Sequence, residues 1–305
     1  MASVQIVING EIMSDFKTAA VLNTDNEVYI SEYSGSGQKC VVPEIIEQNY
    51  VTGIDKFAFS EHRELQEIIL PQTVRYIGAH AFYNCRALTK IILGDKIIDI
   101  GDGAFKNCYN ICCIDMYRTV KNSKCLKGIL SEVNNEVMVN LHYDDGQAQL
   151  IFPYYLYNYE ENTPARIINQ VTQGSGIRYR ECITGEDINY AEYDRIFSEA
   201  MHIDVQDSAW KIACCRLRYP YKLSENAAQC YRTYLRDNRL ELIKQMIEKE
   251  DYDSLKALLA MELADNEDLK ICIDWARENS HMEGLGILLA HQKEKYGTVK
   301  KTFEF

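Results

Sequence analysis

Residues 51–108 read VTGIDKFAFSEHRELQEIILPQTVRYIGAHAFYNCRALTKIILGDKIIDIGDGAFKNC, and this stretch repeats itself every 23 residues. Ile54, Ile77 and Ile100 fall in register, as do the pairs Ala58-Phe59, Ala81-Phe82 and Ala104-Phe105. Leu65, Leu88 and Ile111 follow, then Ile68, Ile91 and Ile114, then Leu70, Leu93 and Met116. The unit I-x-x-x-A-F-x-x-C-x-x-L-x-x-I-x-L thus occurs three times without an insertion. One such unit is too short to bury its own apolar groups, so neighbouring coils must supply the core. Alternating apolar positions around Leu65–Leu70 and their equivalents predict short, half-buried strands. The Ala-Phe pair belongs on the return arm, where Ala admits close approach and Phe fills the interior.

Cys85 and Cys108 share one column with His62. A metal site is one reading of that column. The recurrence with the period favours another, in which small buried side chains form weak hydrogen bonds to backbone. Successive coils also place the two thiols on different rungs, short of a tetrahedral ligand set.

On these residues the run resembles the BspA-like class of bacterial leucine-rich repeats. The preceding VYISEYSGSGQKCVVPEIIEQNY (28–50) is similar to the capping half-repeat of such proteins, with Val42-Pro43 in the place of Leu70-Pro71. The resemblance covers roughly residues 27–120, about a third of the chain. It implies a β-solenoid with a binding role, in a class whose members are frequently secreted or surface-attached and adhesive. The N-terminus MASVQIVINGEIMSDFKTAA departs from that habit, because no basic segment followed by an apolar run suggests an export signal. No apolar stretch approaches the ~18 residues of a membrane span.

Beyond Val120 the period stops. Val137, Val139, Leu141 and Tyr143 alternate up to Asp144-Asp145-Gly146, and Ala148, Leu150 and Phe152 alternate after it. This predicts a β-hairpin that continues the solenoid sheet or, preferably, caps its open end. The next stretch, FPYYLYNYEENTPARIINQVTQGSGIRYRECI (152–183), crowds five aromatics between Phe152 and Tyr159, ahead of Arg166, Arg178 and Arg180. Tyrosine beside arginine is the composition of an interface hot spot, and equally of tyrosines covering a domain junction. Tyr154, Tyr155, Tyr157, Arg166, Arg178, Tyr179 and Arg180 are the candidate binding residues. Gly174-Ser175-Gly176 lacks the following Gly-Lys-Ser/Thr of a phosphate loop and reads as a turn.

From about Ala191 the apolar spacing becomes helical, over Ala191–His202, Ser208–Arg218, Ser224–Arg236, Arg239–Glu248, Tyr252–Leu263, Asp268–Glu278 and Met282–Lys295. A second period of 30 residues aligns Ile243, Leu255, Leu258 and Leu259 with Ile273, Leu285, Leu288 and Leu289. IDWARENSHMEGLGILLAHQ resembles the helix pair of an ankyrin-type repeat, though the T-P-L-H entry motif is missing and a related α-hairpin array fits equally. The fold class is therefore α+β: residues 1–120 a cap and leucine-rich-repeat solenoid, 121–190 hairpin and junction, 191–305 an all-α helical-repeat domain.

Composition restricts function further. A formal net charge of −12 disfavours nucleic acid, whose phosphates need clustered Lys and Arg. Eleven cysteines, an odd number with no C-x-x-C spacing, point to a reduced, cytoplasmic chain rather than a disulfide framework. H-E-x-x-H, G-x-S-x-G, a Walker loop and a strand-to-helix G-x-G-x-x-G are all missing. The expectation is a non-catalytic scaffold or adaptor for a protein partner, with no cofactor and no metal. Two alternatives stand beside it: an exported host-contact protein of the BspA type, and a hydrolase with a hidden cysteine nucleophile.

Overall fold

The repeat columns become ladders. The computed structural model describes residues 3–8, 11–21, 24, 26–162, 167–201 and 208–297. Its first elements are β1 (Ser3–Ile8), β2 (Glu11–Ala20), β3 (Glu27–Tyr33), β4 (Lys39–Val41), β5 (Ile45–Ile46) and β6 (Asn49–Ile54). There follow β7 (Glu67–Ile69), β8 (Tyr76–Ile77), β9 (Lys90–Gly94), β10 (Asp99–Ile100) and β11 (Cys113–Arg118). Ile54, Ile77 and Ile100 pair strand to strand in a parallel ladder formed by β3, β6, β8 and β10. Ile68, Ile91 and Ile114 do the same in a second ladder formed by β4, β7, β9 and β11. The β1–β2 hairpin adds antiparallel to β3.

Between the ladders run the return arms, where Phe59, Phe82 and Phe105 stack at centroid spacings of 5.0 Å and lie fully buried. The thiols of Cys85 and Cys108 donate to the carbonyls of Phe59 and Phe82 one coil back, at 3.0 Å each. Each turn also requires two left-handed residues, Phe57, His80 and Gly103 in one column and Glu61, Asn84 and Asn107 in the other. Gly and Asn adopt that conformation readily, whereas Phe57 does so at a steric cost.

The chain then changes the form of its coil. In α1 (Lys124–Glu132) Cys125, Leu126, Ile129 and Leu130 are buried, and Gly128 lies against Ile100, so the helix covers the end of the first ladder. The second ladder continues: β12 (Val137–Tyr143) pairs parallel with β11, and β13 (Gly146–Phe152) turns back antiparallel across a two-residue loop of Asp144 and Asp145. The hairpin therefore extends the sheet with its first strand and closes it with its second. A two-stranded sheet, β14 (Leu156–Asn162) and β15 (Ile167–Gln173), and α2 (Gly176–Glu181) complete the junction.

Glu132 finishes the turn ladder. In earlier coils the amides of Phe59 and Phe82 donate to Ala81 and Ala104 of the next coil. Phe105 has no such coil after it, and its N–H donates to Glu132 Oε2 at 2.7 Å. Burial pushes the Glu132 carboxyl up, against the opposing effect of the amides of Phe105, Gly103 and Ala104. A raised folded pKa means this group's stabilisation is complete below the ordinary carboxylate range and is lost as pH rises through the raised value. Glu132→Gln, which keeps an acceptor without a charge, is expected to flatten that slope in urea midpoints measured between pH 4 and 7. Glu132→Ala should instead cost about 1–3 kcal/mol, most at the acid end of that range, because it strands buried amides.

Helices α3 (Tyr190–Ala200), α4 (Ser208–Arg218), α5 (Glu225–Glu248), α6 (Tyr252–Leu259), α7 (Asn266–Glu278) and α8 (Met282–Tyr296) make up the rest. The chain divides into two compact units, 1–209 with 219–223, and 210–218 with 224–305. Where two helices are expected over Ser224–Arg236 and Arg239–Glu248, one continuous helix stands. Asp237-Asn238 is polar but contains neither Gly nor Pro, and Asn238 Nδ2 donates back to the Tyr234 carbonyl at 2.8 Å within the same helix. In the second unit Arg239 grips Asp268 with two bonds, of 2.6 and 2.8 Å. Asp268 at the same time completes the capping box of α7 with Asp265.

Candidate protein-binding face

The outer side of the second ladder is a six-stranded surface in the order β4, β7, β9, β11, β12, β13. Strand alternation sends Ile68, Ile91, Ile114 and Val139 inward and presents the intervening side chains outward. In register across the sheet these form two rows: Lys39, Glu67, Lys90, Cys113, Met138, and beside them Val41, Ile69, Ile92, Asp115, Asn140, Gln149; Ile151 continues the first row onto β13 but is buried. Charge occupies the first row as far as β9 and then crosses to the second, where polar residues continue it. The crossing is the Lys90–Asp115 ion pair, 2.8 Å, which holds the Lys90 ammonium above its ordinary pKa.

The polar track is bonded in two segments, Lys39–Glu67 and Lys90–Asp115–Asn140–Gln149. Lys39 meets Glu67 at 3.2 Å, Asn140 donates to Asp115, and Gln149 donates to Asn140 at 2.7 Å. Val41, Ile69 and Ile92 line the other track, half-buried yet still in reach of solvent. At one margin Tyr117, 45 % exposed, stacks on His142 at 4.8 Å. Exposed ion pairs stabilise a fold by only about 0–1 kcal/mol each. What these pairs do is hold long side chains in one arrangement.

The seven sequence candidates are placed very differently. Arg180 is buried, and all five of its N–H groups donate to main-chain carbonyls: Nε to Leu130 (3.1 Å), Nη1 to Pro153 (2.6 Å) and Gly176 (3.0 Å), Nη2 to Val133 (3.1 Å) and Asn135 (2.8 Å). Tyr155 lies under the guanidinium at 4.6 Å, and burial pulls the Arg180 pKa down to about 10. Tyr179 is fully buried with its ring edge-on to Tyr193, 4.7 Å away. Gly176 is required by the same packing, since a Cβ there would fall 2.0 Å from the Pro153 carbonyl oxygen. Arg178 is a surface group paired with Glu199, and Tyr154 is half-buried. Tyr157 lies on β14 with its side chain outside the described residues, and Arg166 lies outside them altogether. Among the seven, Arg180 and Tyr155 are thus brought together, as a clasp between α1, the end of β13 and α2, while Tyr179 packs on Tyr193 of α3.

The face described above carries no aromatic-arginine cluster, so sequence composition could not single it out. Its signal was positional: Ile69 and Ile92 stand at outward positions of a strand whose inward positions are already apolar. Six cysteines show the opposite of activation. Burial pushes Cys113 and Cys272 up to about 11 and Cys182 and Cys214 up to about 12 and also raises Cys125, while Cys85 is raised first by its hydrogen bond with Cys108 and then by burial. Among the described residues no group of three or more His, Cys, Asp or Glu is placed to hold a metal ion.

Residues 30–132 match the family model of the BspA type leucine rich repeat region, in six copies. No curated protein matches the chain at a comparable level. Among solved structures, a leucine-rich repeat protein from Bacteroides capillosus ATCC 29799 is 24% identical over 38% of this chain and 82% of its own, with a TM-score of 0.31. The T. pallidum leucine rich repeat protein is 21% identical over 33% of this chain and 68% of its own, with a TM-score of 0.25. A leucine rich cell surface protein from Faecalibacterium prausnitzii A2-165 is 24% identical over 38% of this chain and 34% of its own, with a TM-score of 0.28. The family match ends at residue 132, so the helical region rests on the helices themselves. No helix among the described residues is long and apolar enough to cross a membrane.

Proposed function

We propose that this protein is a non-catalytic scaffold that binds a protein partner through the outer face of its six-stranded sheet. One observation carries the reading: a bonded polar track, Lys39–Glu67 and Lys90–Asp115–Asn140–Gln149, runs beside a half-exposed apolar track, Val41–Ile69–Ile92. A rigid surface with apolar anchors and a fixed polar pattern lowers the ordering cost of binding and supplies specificity. An acidic chain of net charge −12 supports a protein over a nucleic acid as the partner. Eleven free thiols support action in a reducing compartment such as the cytoplasm. The 30-residue period supports an ankyrin-like or related α-hairpin array in the helical part.

The test is affinity capture from the native cell with wild-type chain as bait, beside Ile69→Arg/Ile92→Arg and Arg178→Ala. A partner held by wild type and Arg178→Ala and lost by the double variant is the expected result. Loss in Arg178→Ala alone would move the site to the junction. A partner found only in the extracellular fraction would favour the exported reading.

A further inference from the structure

The last helix carries an apolar seam on its solvent side. α8 turns Gly284 and Leu288 inward, and a Cβ at Gly284 would lie 2.7 Å from the Ile247 side chain, so α8 and α5 approach closely there. Its other side presents Met282, Gly286, Leu289, Lys293 and Tyr296, the alternating four- and three-residue spacing of a two-helix seam. Met282 is 66 % exposed and Leu289 43 %. A Cβ on Gly286 would meet nothing within 4 Å.

The 30-residue period shows what kind of surface this is. Leu289 is the equivalent of Leu259, which is 3 % exposed. In the earlier hairpin that position is covered, and α7 packs on α5 and α8 on α6. In the α7–α8 hairpin the same position is exposed, a helical surface that no described helix covers.

Charge selects the occupant. α8 carries Glu283 in its first turn and Lys293 and Lys295 in its last, so the last turn stays net basic despite Glu294. A second α8 laid antiparallel brings Glu283 of each copy to the basic end of the other, and it sets Leu289 against Leu289 at the middle of the Met282–Tyr296 span. A parallel arrangement would place acid on acid and base on base. We propose that the protein self-associates through α8 as an antiparallel, isologous pair centred on Leu289. This pairing is independent of the sheet face.

Sedimentation velocity of the full chain across a dilution series tests the pairing. The expected result is a dimer that dissociates on dilution, with Leu289→Lys raising the dissociation constant by at least about thirtyfold. Glu283→Lys should weaken the dimer and Glu283→Lys/Lys293→Glu should restore it. Lys295 is left intact because it also pairs with Glu262 at 3.8 Å within the chain. All these positions face solvent, so circular dichroism, and the thermal midpoint at concentrations below the dimer's dissociation constant, should not change. A wild-type chain that stays monomeric at every concentration overturns the proposal, as does a dimer indifferent to Leu289→Lys or to the charge exchange. A dimer that forms only in a chain ending at Gly297 also overturns it, since the last eight residues would then be the seam's occupant.

Discussion

Phe82→Ala is expected to lower the stability of the repeat unit by about 3–5 kcal/mol, the range for removing a buried aromatic ring. The ring is fully buried and stacked on both sides, against Phe59 at 19° and Phe105 at 9°. Truncation therefore opens a cavity in the middle of the stack, where backbone paired by two parallel ladders cannot collapse to fill it. Phe59 keeps Tyr33 as a second stacking partner at 4.9 Å, and its replacement should be nearly as damaging. Phe105 has a ring neighbour on one side only and should cost less. Urea unfolding followed by far-UV circular dichroism reads the order, with an unchanged m-value expected. A loss below about 1 kcal/mol for Phe82→Ala would mean that the coils are not coupled through these rings.

Arg180→Ala should be of similar size, about 3–5 kcal/mol, because it removes several charge-assisted hydrogen bonds at once. Its five donors bond the carbonyls of Leu130, Val133, Asn135, Pro153 and Gly176, so its removal takes a hydrogen bond from each. Lysine should not rescue it, because one ammonium has three donors and no planar fork. The pKa of about 10 leaves the guanidinium charged at neutral pH, so the clasp is a buried cation held wholly by dipoles. A binding assay on an Arg180 variant would thus report folding. Arg178, on the surface with Glu199, is the proper probe of the junction.

The same residue explains where sequence reading succeeds and where it stops. A 23-residue period constrains many columns at once, so the strand pairs Ile54–Ile77–Ile100 and Ile68–Ile91–Ile114 are legible before any coordinates. The next coil is not, because α1 replaces the Ala-Phe return arm and the period vanishes although the sheet continues through β12. Tyrosine and arginine in 152–183 have the composition of a recognition surface and of an internal clasp alike. Only the distance between Arg180 and carbonyls some 27 to 50 residues earlier separates the two. The proposed binding face is built on Ile69 and Ile92, ordinary strand residues whose outward direction is a property of the ladder. Glu132 as a ladder cap is equally invisible, since its partner amide is 27 residues away.

Placing a photo-crosslinking side chain at position 92, and separately at position 178, tests the central claim most directly, with irradiation in the native cell. A discrete covalent adduct to one protein from position 92, with none from position 178, is the expected outcome. An adduct from position 178 with none from position 92 would contradict the account and return the site to the junction.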